Sequence, residues 1–301
     1  MKNLTLAVLI FFAGVGACFS VMALLSFKNG NEQDEKIASA QLYKAPALPE
    51  SMSFAGEMVP LERWEIKEQL DRELTYNFFQ PQNLVYILKL SERFFPEIEP
   101  ILQKNNVPDD FKYLCVAESN LQNLISKVGA TGFWQFMSGT APGYNLEVSG
   151  TVDERYHVSK STEAACKYLK QAYNRFGSWT AAAASYNCGM GGYNKRVTQQ
   201  GSKNYYDLVL PEETNRYIFR ILTFKYLLEN AATLGYDISE SYRYQKPATK
   251  TVAVSQTIPN LVTFARNNGT SNKVLKTLNP WLRAHSLTVK AGHQYTLLLP
   301  Q

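Results

Sequence analysis

Apolar residues recur at helical spacing through the middle of this 301-residue chain, and no other feature of the sequence constrains the fold as strongly. Residues three, four and seven positions apart share one face of an α-helix, so this spacing predicts helices that bury one stripe of side chains. About 180 residues are enough for one hydrophobic core, and we expect a mainly α domain over residues 61–240. The apolar positions are Trp64, Ile66, Leu70, Leu74, Tyr86, Leu90, Phe94, Ala164, Ala165, Tyr168, Leu169, Ala172, Phe176, Tyr217, Ile221, Phe224 and Leu228.

A carboxylate lies on the apolar face of one short predicted helix. Residues 108–110, Pro-Asp-Asp, are typical of a helix start. On the face that this helix buries, Glu118 follows three apolar side chains at helical spacing, Phe111, Leu114 and Cys115. Burial disfavours the charged form of a carboxyl, so we expect a raised pKa for Glu118 and a proton available near neutrality for general-acid chemistry.

A structural role for Glu118 is the alternative. At the end of a helix the carboxylate can reach water, or it can pair with Lys112 or Lys127. Structural carboxylates outnumber catalytic ones, and the helix alone therefore does not distinguish the two interpretations. The segments that follow the helix favour the catalytic one.

Residues 126–137, SKVGATGFWQFM, form a glycine-punctuated segment that is typical of a ligand-binding loop. Its glycines allow the backbone to turn tightly and to approach a ligand. Trp134 and Phe136 offer flat apolar faces and Gln135 offers both a donor and an acceptor, a combination that suits sugar rings. The alternative is that both aromatic rings belong to the hydrophobic core.

Two further segments carry polar residues at helix boundaries. Four alanines, residues 181–184, belong to a predicted helix that ends in a glycine turn, with Tyr186 and Asn187 beside the turn. Residues 211–217, PEETNRY, open another helix. Both segments are therefore placed where helix ends can face a common groove.

Taken together, the segments resemble a known family. In order and spacing they resemble the four motifs of the lytic murein transglycosylases of the soluble-transglycosylase type, and most of all those of the membrane-bound class D branch. The residues that carry the resemblance are Glu118-Ser119 and residues 129–137, 185–189 and 213–217. It covers about residues 61–236 and implies a lysozyme-like helical fold. It implies that Glu118 is the single catalytic acid and base, and that the saccharide is bound by Ser119, Ser126, Gln135, Phe136, Met137, Tyr186, Asn187 and Glu213.

The chain departs from the family pattern in two places. Phe133 stands where leucine is usual, which exchanges one apolar side chain for another. Cys188 and Met190 replace the usual alanine and glutamate of the tyrosine-asparagine-glycine motif. The change at Met190 removes any role for a second acid there, whereas Glu118 is retained.

The implied reaction needs only one carboxylate. Ordinary glycosidases use two, one that protonates the leaving oxygen and one that attacks or activates water. In the family that the chain resembles, the N-acetyl carbonyl of N-acetylmuramic acid stabilises positive charge and the C6 hydroxyl of the same sugar attacks the anomeric carbon. We therefore expect a lyase that cleaves the β-1,4 bond between N-acetylmuramic acid and N-acetylglucosamine in peptidoglycan and leaves 1,6-anhydromuramyl ends.

Two other functions remain as alternatives. A hydrolase of the lysozyme type needs a second working carboxylate, for which Glu213 and Asp153 are the candidates. A non-catalytic wall-binding factor would keep the groove without turnover, and only the altered Cys188 and Met190 support it. The retained Glu118 argues against this second alternative.

The first residues predict a membrane anchor. Residues 4–27 are 24 residues without a charge, enough to cross a bilayer of about 30 Å as a helix. Lys2 precedes them and acidic residues follow, so the positive-inside rule places the bulk of the chain outside the cytoplasm, facing the periplasm or cell wall. We expect an anchor or signal over residues 1–28 and a linker over residues 29–60, with lipidation of Cys18 as an alternative.

Residues 241–301 carry eight basic residues and no acidic residue, whereas the rest of the chain has a net charge of −3. This charge suits an anionic wall or acidic lipid, and we do not expect nucleic acid as a partner. Strand patterns at residues 251–254 and 295–299, a helix pattern at 261–267 and an Asn-Pro turn at 279–280 predict a small β-α-α-β unit. It is similar to a degenerate LysM module, a wall-binding fold; the alternative is a lid that docks on the catalytic domain.

The sequence gives no indication of a cofactor. Its three histidines are well separated, and it has no Cys-x-x-Cys pair, phosphate loop or dinucleotide fingerprint, so we expect neither a metal nor a cofactor. Cys115 and Cys188 flank the expected site and are able to pair, although small buried thiols are the simpler interpretation for these two and Cys166. The expected partners are peptidoglycan strands, the membrane and cell-wall synthesis proteins, and no oligomeric state is indicated.

Overall fold

The computed structural model describes residues 44–301. The predicted anchor over residues 1–28, Cys18 and residues 29–43 of the predicted linker lie outside the described residues. Among residues 44–301 no helix combines the length and the apolar character that a bilayer span requires. Residues 47–301 form one compact unit.

The middle of the chain is helical, as its periodicity predicts. The helices are α1 (Trp64–Phe78), α2 (Pro81–Lys104), α3 (Phe111–Ser119), α4 (Val158–Phe176), α5 (Trp179–Gln200) and α6 (Glu212–Glu229). Helix α3 is in contact with α6, and α6 lies along α1, while α4 packs against both α2 and α5. Most of the predicted apolar positions are buried between these helices, but Trp64 at the start of α1 and Tyr86 on α2 are exposed.

Helix α3 is short and lies in the core. It is apolar on more than one side, because Tyr113 and Val116 are buried as well as the predicted stripe. A helix that is hydrophobic all round is buried within its domain. The helix ends at Asn120, whose left-handed backbone (φ 52°) turns the chain sharply just after Glu118. This turn leads the chain into residues 126–137.

The predicted linker is too long at its C-terminal end. Strands β1 (Ser53–Phe54) and β2 (Glu57–Met58) form a hairpin that belongs to the helical domain. The Phe54 ring is fully buried, with its centroid 5.2 Å from that of Phe111, and Glu57 accepts a hydrogen bond of 2.6 Å from the Trp179 N–H at the start of α5. Two-residue strands are too short to produce a periodic pattern, so the sequence of this segment predicts a linker.

The C-terminal segment has the predicted β-α-α-β order. Strand β3 (Thr249–Val254), helix α7 (Leu261–Asn267), helix α8 (Asn272–Leu278) and strand β4 (Tyr295–Pro300) follow one another, and β3 pairs antiparallel with β4. We call residues 249–301 the C-terminal module. The predicted boundary at residue 241 is early, because the Tyr244 N–H still donates to the Lys89 carbonyl on α2 at 3.1 Å.

Candidate active site

Glu118 lies in the last turn of α3, half-buried, and accepts a hydrogen bond from the Tyr217 hydroxyl on α6. Burial raises the pKa of Glu118 to about 7 against the opposing effects of the Tyr217 hydrogen bond and the charge of Arg220, while the charge of Glu213 adds to the increase. The predicted increase in pKa is confirmed. A carboxyl with this pKa exists in both protonation states near neutrality, as a group that must give and take one proton requires.

The ion pairs predicted by the structural alternative are not formed. Lys112 is occupied by Glu99 at 2.7 Å and by Asp109 at 2.5 Å. Lys127 is exposed, and within residues 44–301 no salt bridge includes Glu118. The carboxyl of Glu118 is therefore held by a neutral hydroxyl rather than by a cation.

Tyr217 is a residue of the candidate site to which the sequence analysis assigned no role. It belongs to the motif at residues 213–217 and to the apolar stripe of α6, and it stands four residues after Glu213 on the same helical face. The ring is buried, and burial followed by the charge of Glu118 raises the pKa of the hydroxyl well above its ordinary value. Tyr217 therefore stays protonated and remains a hydrogen-bond donor to Glu118.

Tyr217→Phe is expected to raise the pKa of Glu118 further. The hydroxyl stabilises the charged carboxylate, and its loss leaves burial less opposed. A carbon-13 NMR titration of the glutamate carboxyls measures this change. The matched control is Tyr226→Phe on the same helix, whose hydroxyl donates to the Ala47 carbonyl at 2.9 Å. An unchanged Glu118 pKa in Tyr217→Phe would show that the hydrogen bond does not control this group.

Residues 126–137, which we call the groove loop, are held by their own hydrogen bonds. The Ser126 hydroxyl accepts from the Ala130 N–H at 3.0 Å and so closes the turn at Gly129. Gln135 adopts a left-handed backbone (φ 48°), and its side-chain nitrogen donates to the Gly132 carbonyl at 2.8 Å and to the Leu124 carbonyl at 3.2 Å. Both hydrogen bonds of the Gln135 side-chain nitrogen are therefore made within the protein. The side-chain oxygen of Gln135 is the group that can face a ligand.

Three residues predicted to contact the saccharide are placed differently. Trp134 is fully buried and Phe136 is 4% exposed, so neither offers a face to a sugar, and the core interpretation of both rings is correct. The Trp134 ring nitrogen donates to the Thr162 hydroxyl at 2.8 Å. Ser119 is 2% exposed, and its hydroxyl donates to the Cys115 carbonyl of its own helix at 3.2 Å. The expectation that Ser119 and Phe136 bind substrate is therefore wrong.

Exposed aliphatic side chains on and beside the groove loop offer the apolar surface that the buried rings do not. Met137, one of the predicted residues, is 42% exposed. Exposed apolar surface on this segment therefore comes from aliphatic side chains rather than from Trp134 and Phe136. The other exposed members are Leu124, Ile125 and Val128.

Tyr186 and Asn187 lie just before a kink in α5. Gly189 has non-helical dihedral angles (φ 74°, ψ 147°), so the predicted glycine turn is a break inside a longer helix. The Tyr186 hydroxyl donates to the Trp134 carbonyl at 2.7 Å, and the Asn187 side-chain oxygen accepts from the Thr214 hydroxyl at 2.8 Å. These two bonds tie α5 to the groove loop and to the first turn of α6.

The charge of Glu118 also affects the pKa of Tyr186. Burial, followed by the charge of Glu118, raises the pKa of the Tyr186 hydroxyl well above its ordinary value. Tyr186 and Tyr217 are thus two neutral hydroxyl groups in the field of the same carboxyl. The four segments found in the sequence therefore meet around Glu118.

The two candidates for a second carboxylate are both engaged elsewhere. Glu213 is 62% exposed and pairs with Arg220 at 3.0 Å, and Arg220 also lies 3.8 Å from the buried Glu73. Asp153 is buried and forms a two-point pair with Arg155, at 2.9 Å to Nε and 2.7 Å to a terminal nitrogen. Glu213 influences Glu118 through its charge rather than by contact.

The cysteines of the described residues are free thiols. Cys115, Cys166 and Cys188 form no disulfide, so the pairing of Cys115 with Cys188 is not formed. Burial raises the pKa of the Cys115 thiol well above its ordinary value and that of Cys166 to about 12. Over residues 44–301 no three histidine, cysteine or acidic side chains come together as a group that could hold a metal ion.

Two family models match the chain. The family described as Transglycosylase SLT domain matches residues 96–209, which include Glu118, the groove loop, Tyr186 and Asn187. The family described as Soluble lytic transglycosylase C-terminal LysM-like domain matches residues 250–301, nearly the whole C-terminal module. Tyr217 lies beyond the first match.

Relatives of the chain include the membrane-bound lytic murein transglycosylase D of two strains of Escherichia coli. Each is 27% identical over 203 residues, which cover 65% of this chain and 44% of the relative. An Alteromonas protein named for tributyltin chloride resistance is 28% identical over 116 residues, 36% of this chain and 56% of that protein. The chain is homologous to the Escherichia coli proteins, and its match spans less than half of their length.

Proposed function

We propose that this chain, which carries a transglycosylase SLT domain and a LysM-like domain, is a peptidoglycan lytic transglycosylase. It cleaves the β-1,4 bond between N-acetylmuramic acid and N-acetylglucosamine and leaves 1,6-anhydromuramyl ends. The observation that carries the proposal is a single half-buried carboxyl, Glu118, with a pKa of about 7 and held by a neutral tyrosine. The homology to the murein transglycosylases supports the same substrate class.

Glu118 acts first as an acid and then as a base. Protonated Glu118 gives its proton to the glycosidic oxygen as the bond from that oxygen to the anomeric carbon breaks. The N-acetyl carbonyl of the substrate stabilises the resulting positive charge. The Glu118 carboxylate then takes the proton of the C6 hydroxyl, whose oxygen bonds to the anomeric carbon and closes the anhydro ring. The proton balance is zero and no water is consumed.

Tyr217 and Tyr186 support this cycle without exchanging protons. Both hydroxyls have a pKa well above the ordinary value, so both stay protonated while Glu118 changes its charge. The Tyr217 hydrogen bond favours the carboxylate form and thereby stabilises the carboxylate that the first step leaves on Glu118. The Tyr186 hydroxyl, bound to the Trp134 carbonyl, fixes the groove loop beside the reacting bond.

The remaining predicted residues fall into two groups, those whose side chains keep a group available to a ligand and those whose side chains are already bonded within the protein. We assign saccharide contacts to the Gln135 side-chain oxygen, the exposed Met137 and the Asn187 amide nitrogen. Ser126 acts by shaping the groove loop, because its hydroxyl already accepts the Ala130 N–H. Glu213 acts by neutralising Arg220, which would otherwise lower the pKa of Glu118 more strongly.

The proposal extends to where the protein works. A relative is named as membrane-bound, and the uncharged residues 4–27 predict an anchor that would hold the enzyme at a membrane and facing the wall. The LysM-like module, with its basic residues, would add contacts to the glycan strands. Cell-wall synthesis proteins remain predicted partners.

Digestion of purified peptidoglycan by the full chain in water enriched in oxygen-18 tests the proposal. The new muramyl ends are expected to carry no heavy oxygen, because the C6 hydroxyl replaces water. Heavy oxygen at these ends would make the protein a hydrolase of the lysozyme type. A lack of any product, with retained binding to peptidoglycan, would instead support a non-catalytic wall-binding factor.

A further inference from the structure

The C-terminal module is docked on a short loop of the catalytic domain. Residues 147–154, which we call the docking loop, insert Val152 into the core of the module, where it is fully buried. The Asp153 N–H donates to the Trp281 carbonyl and the Arg283 N–H to the Thr151 carbonyl, both at 2.9 Å. The docking loop is thus hydrogen-bonded to the module much as a neighbouring strand would be.

Asp153, whose backbone is bonded to the module, also binds the side chain of Arg155. Its two carboxylate oxygens accept from the Arg155 side chain at 2.9 and 2.7 Å, and one of them also accepts the Arg155 backbone N–H at 3.2 Å. Each side chain is only 10% exposed. A two-point pair of this kind fixes the plane of the guanidinium, so the direction of its remaining nitrogen is set by Asp153.

That remaining nitrogen holds the groove loop. It donates to the Gly129 carbonyl at 3.2 Å and to the Phe136 carbonyl at 3.1 Å, near the two ends of the loop. The backbone of Arg155 also supports the middle of the loop: a Cβ atom placed on Gly132 would lie 1.9 Å from the Arg155 carbonyl oxygen. Gln135 and Met137 are carried on the segment that Arg155 holds.

We propose that Arg155 is a positioning residue through which the C-terminal module sets the shape of the saccharide groove. The module holds Asp153, Asp153 orients Arg155, and Arg155 fixes the groove loop. Its effect on the reaction depends on the proposed function, whereas its effect on the loop does not. A module that docks on the catalytic domain in this way combines the two roles that the sequence left as alternatives for residues 241–301.

Hydrogen exchange of the full chain tests the loop directly. In Arg155→Lys, which keeps the charge beside Asp153 but lacks the third guanidinium nitrogen that reaches both carbonyls, the amides of Ser126, Thr131 and Phe136 are expected to exchange faster. In Arg155→Met the effect is larger. The control Arg175→Met removes an exposed arginine near the end of α4 and should leave these amides unchanged. Unchanged protection in both Arg155 variants would overturn the proposal.

Val152→Ala tests the link to the module. Val152 does not belong to the groove loop, and its truncation leaves a cavity where the docking loop enters the module core. The same three amides are expected to exchange faster than in the native chain, although less than in Arg155→Met. If the Arg155 variants loosen the loop and Val152→Ala does not, the coupling to the module is overturned.

Kinetics on peptidoglycan separate positioning from chemistry. In Arg155→Lys we expect kcat/KM to fall about tenfold, mainly through KM, because the saccharide contacts lose their geometry. The pH dependence of kcat should not move, since the groups that set the pKa of Glu118 are untouched. A shifted pH profile would contradict a positioning role. If the native chain makes no product, the proposed function fails and the exchange result still decides the loop.

Discussion

Glu118→Gln is expected to lower the rate of product release from peptidoglycan by about a thousandfold, within the range for loss of a general acid and base. Glutamine fills the same volume and accepts the Tyr217 hydrogen bond, but it neither gives nor takes a proton. Release of soluble muropeptides over time measures the effect. Glu213→Gln serves as the comparison, because Glu213 is exposed and touches Arg220 rather than Glu118.

Glu213→Gln should retain most of the activity and lower the pKa of Glu118, since the charge of Glu213 raises that pKa. A loss in Glu213→Gln as large as that in Glu118→Gln would point to two working carboxylates and a hydrolase. A loss below tenfold in Glu118→Gln would remove Glu118 from the chemistry.

The stability of Glu118→Gln distinguishes lost chemistry from a lost fold. The pKa of Glu118 is raised in the fold from 4.5 to about 7, so between these values the folded chain binds more protons than the unfolded chain. Its free energy of unfolding therefore falls as the pH rises through this range. Glutamine removes the effect, and the variant should be more stable than the native chain at pH 8 by up to about 3 kcal/mol. At pH 4 the two should be similar.

Gly132→Ala is the second substitution with a large expected effect. The added Cβ atom would lie 1.9 Å from the Arg155 carbonyl oxygen, a backbone atom that cannot rotate away, and the residue has a φ of +85°. The groove loop must move, and a displacement of about 1 Å at a site can reduce turnover about a hundredfold. We also expect a loss of about 1–3 kcal/mol in the free energy of unfolding.

Gly129→Ala provides a close control for Gly132→Ala. Gly129 lies in the same loop and has the same φ of +85°, but its added Cβ atom meets nothing within 4 Å. It carries the backbone strain without the collision, so its activity should fall much less. Kinetics and thermal unfolding of both variants decide the comparison. Equal losses would show that left-handed strain alone, and not the contact with Arg155, limits this position.

The helical elements and Glu118 were predictable because their signals are local. The stripe of Phe111, Leu114 and Cys115 specifies a buried face within two turns of helix, and Glu118 shares that face. The β-α-α-β order of the C-terminal module was also predictable, since each of its predicted elements has a periodic pattern or a turn signal of its own. The predicted pKa of Glu118 follows from the same burial.

The side chains around the site were less predictable because their contacts are long-range. The residues next to Trp134 in the sequence suggest a ring that stacks on sugars, but its ring nitrogen donates to the hydroxyl of Thr162, 28 residues away. Tyr217 is 99 residues from Glu118 and looks like any other core aromatic. The support of the groove loop uses backbone carbonyls held by Arg155, and carbonyls carry no sequence signal.

In the proposed reaction Glu118 cleaves the glycan without water. The mass of the muropeptides that the native chain and Glu118→Gln release from purified peptidoglycan tests this. Products one water lighter than those of hydrolysis are expected from the native chain and not from the variant. Products with reducing ends, or anhydro products released equally well by Glu118→Gln, would contradict the proposed reaction.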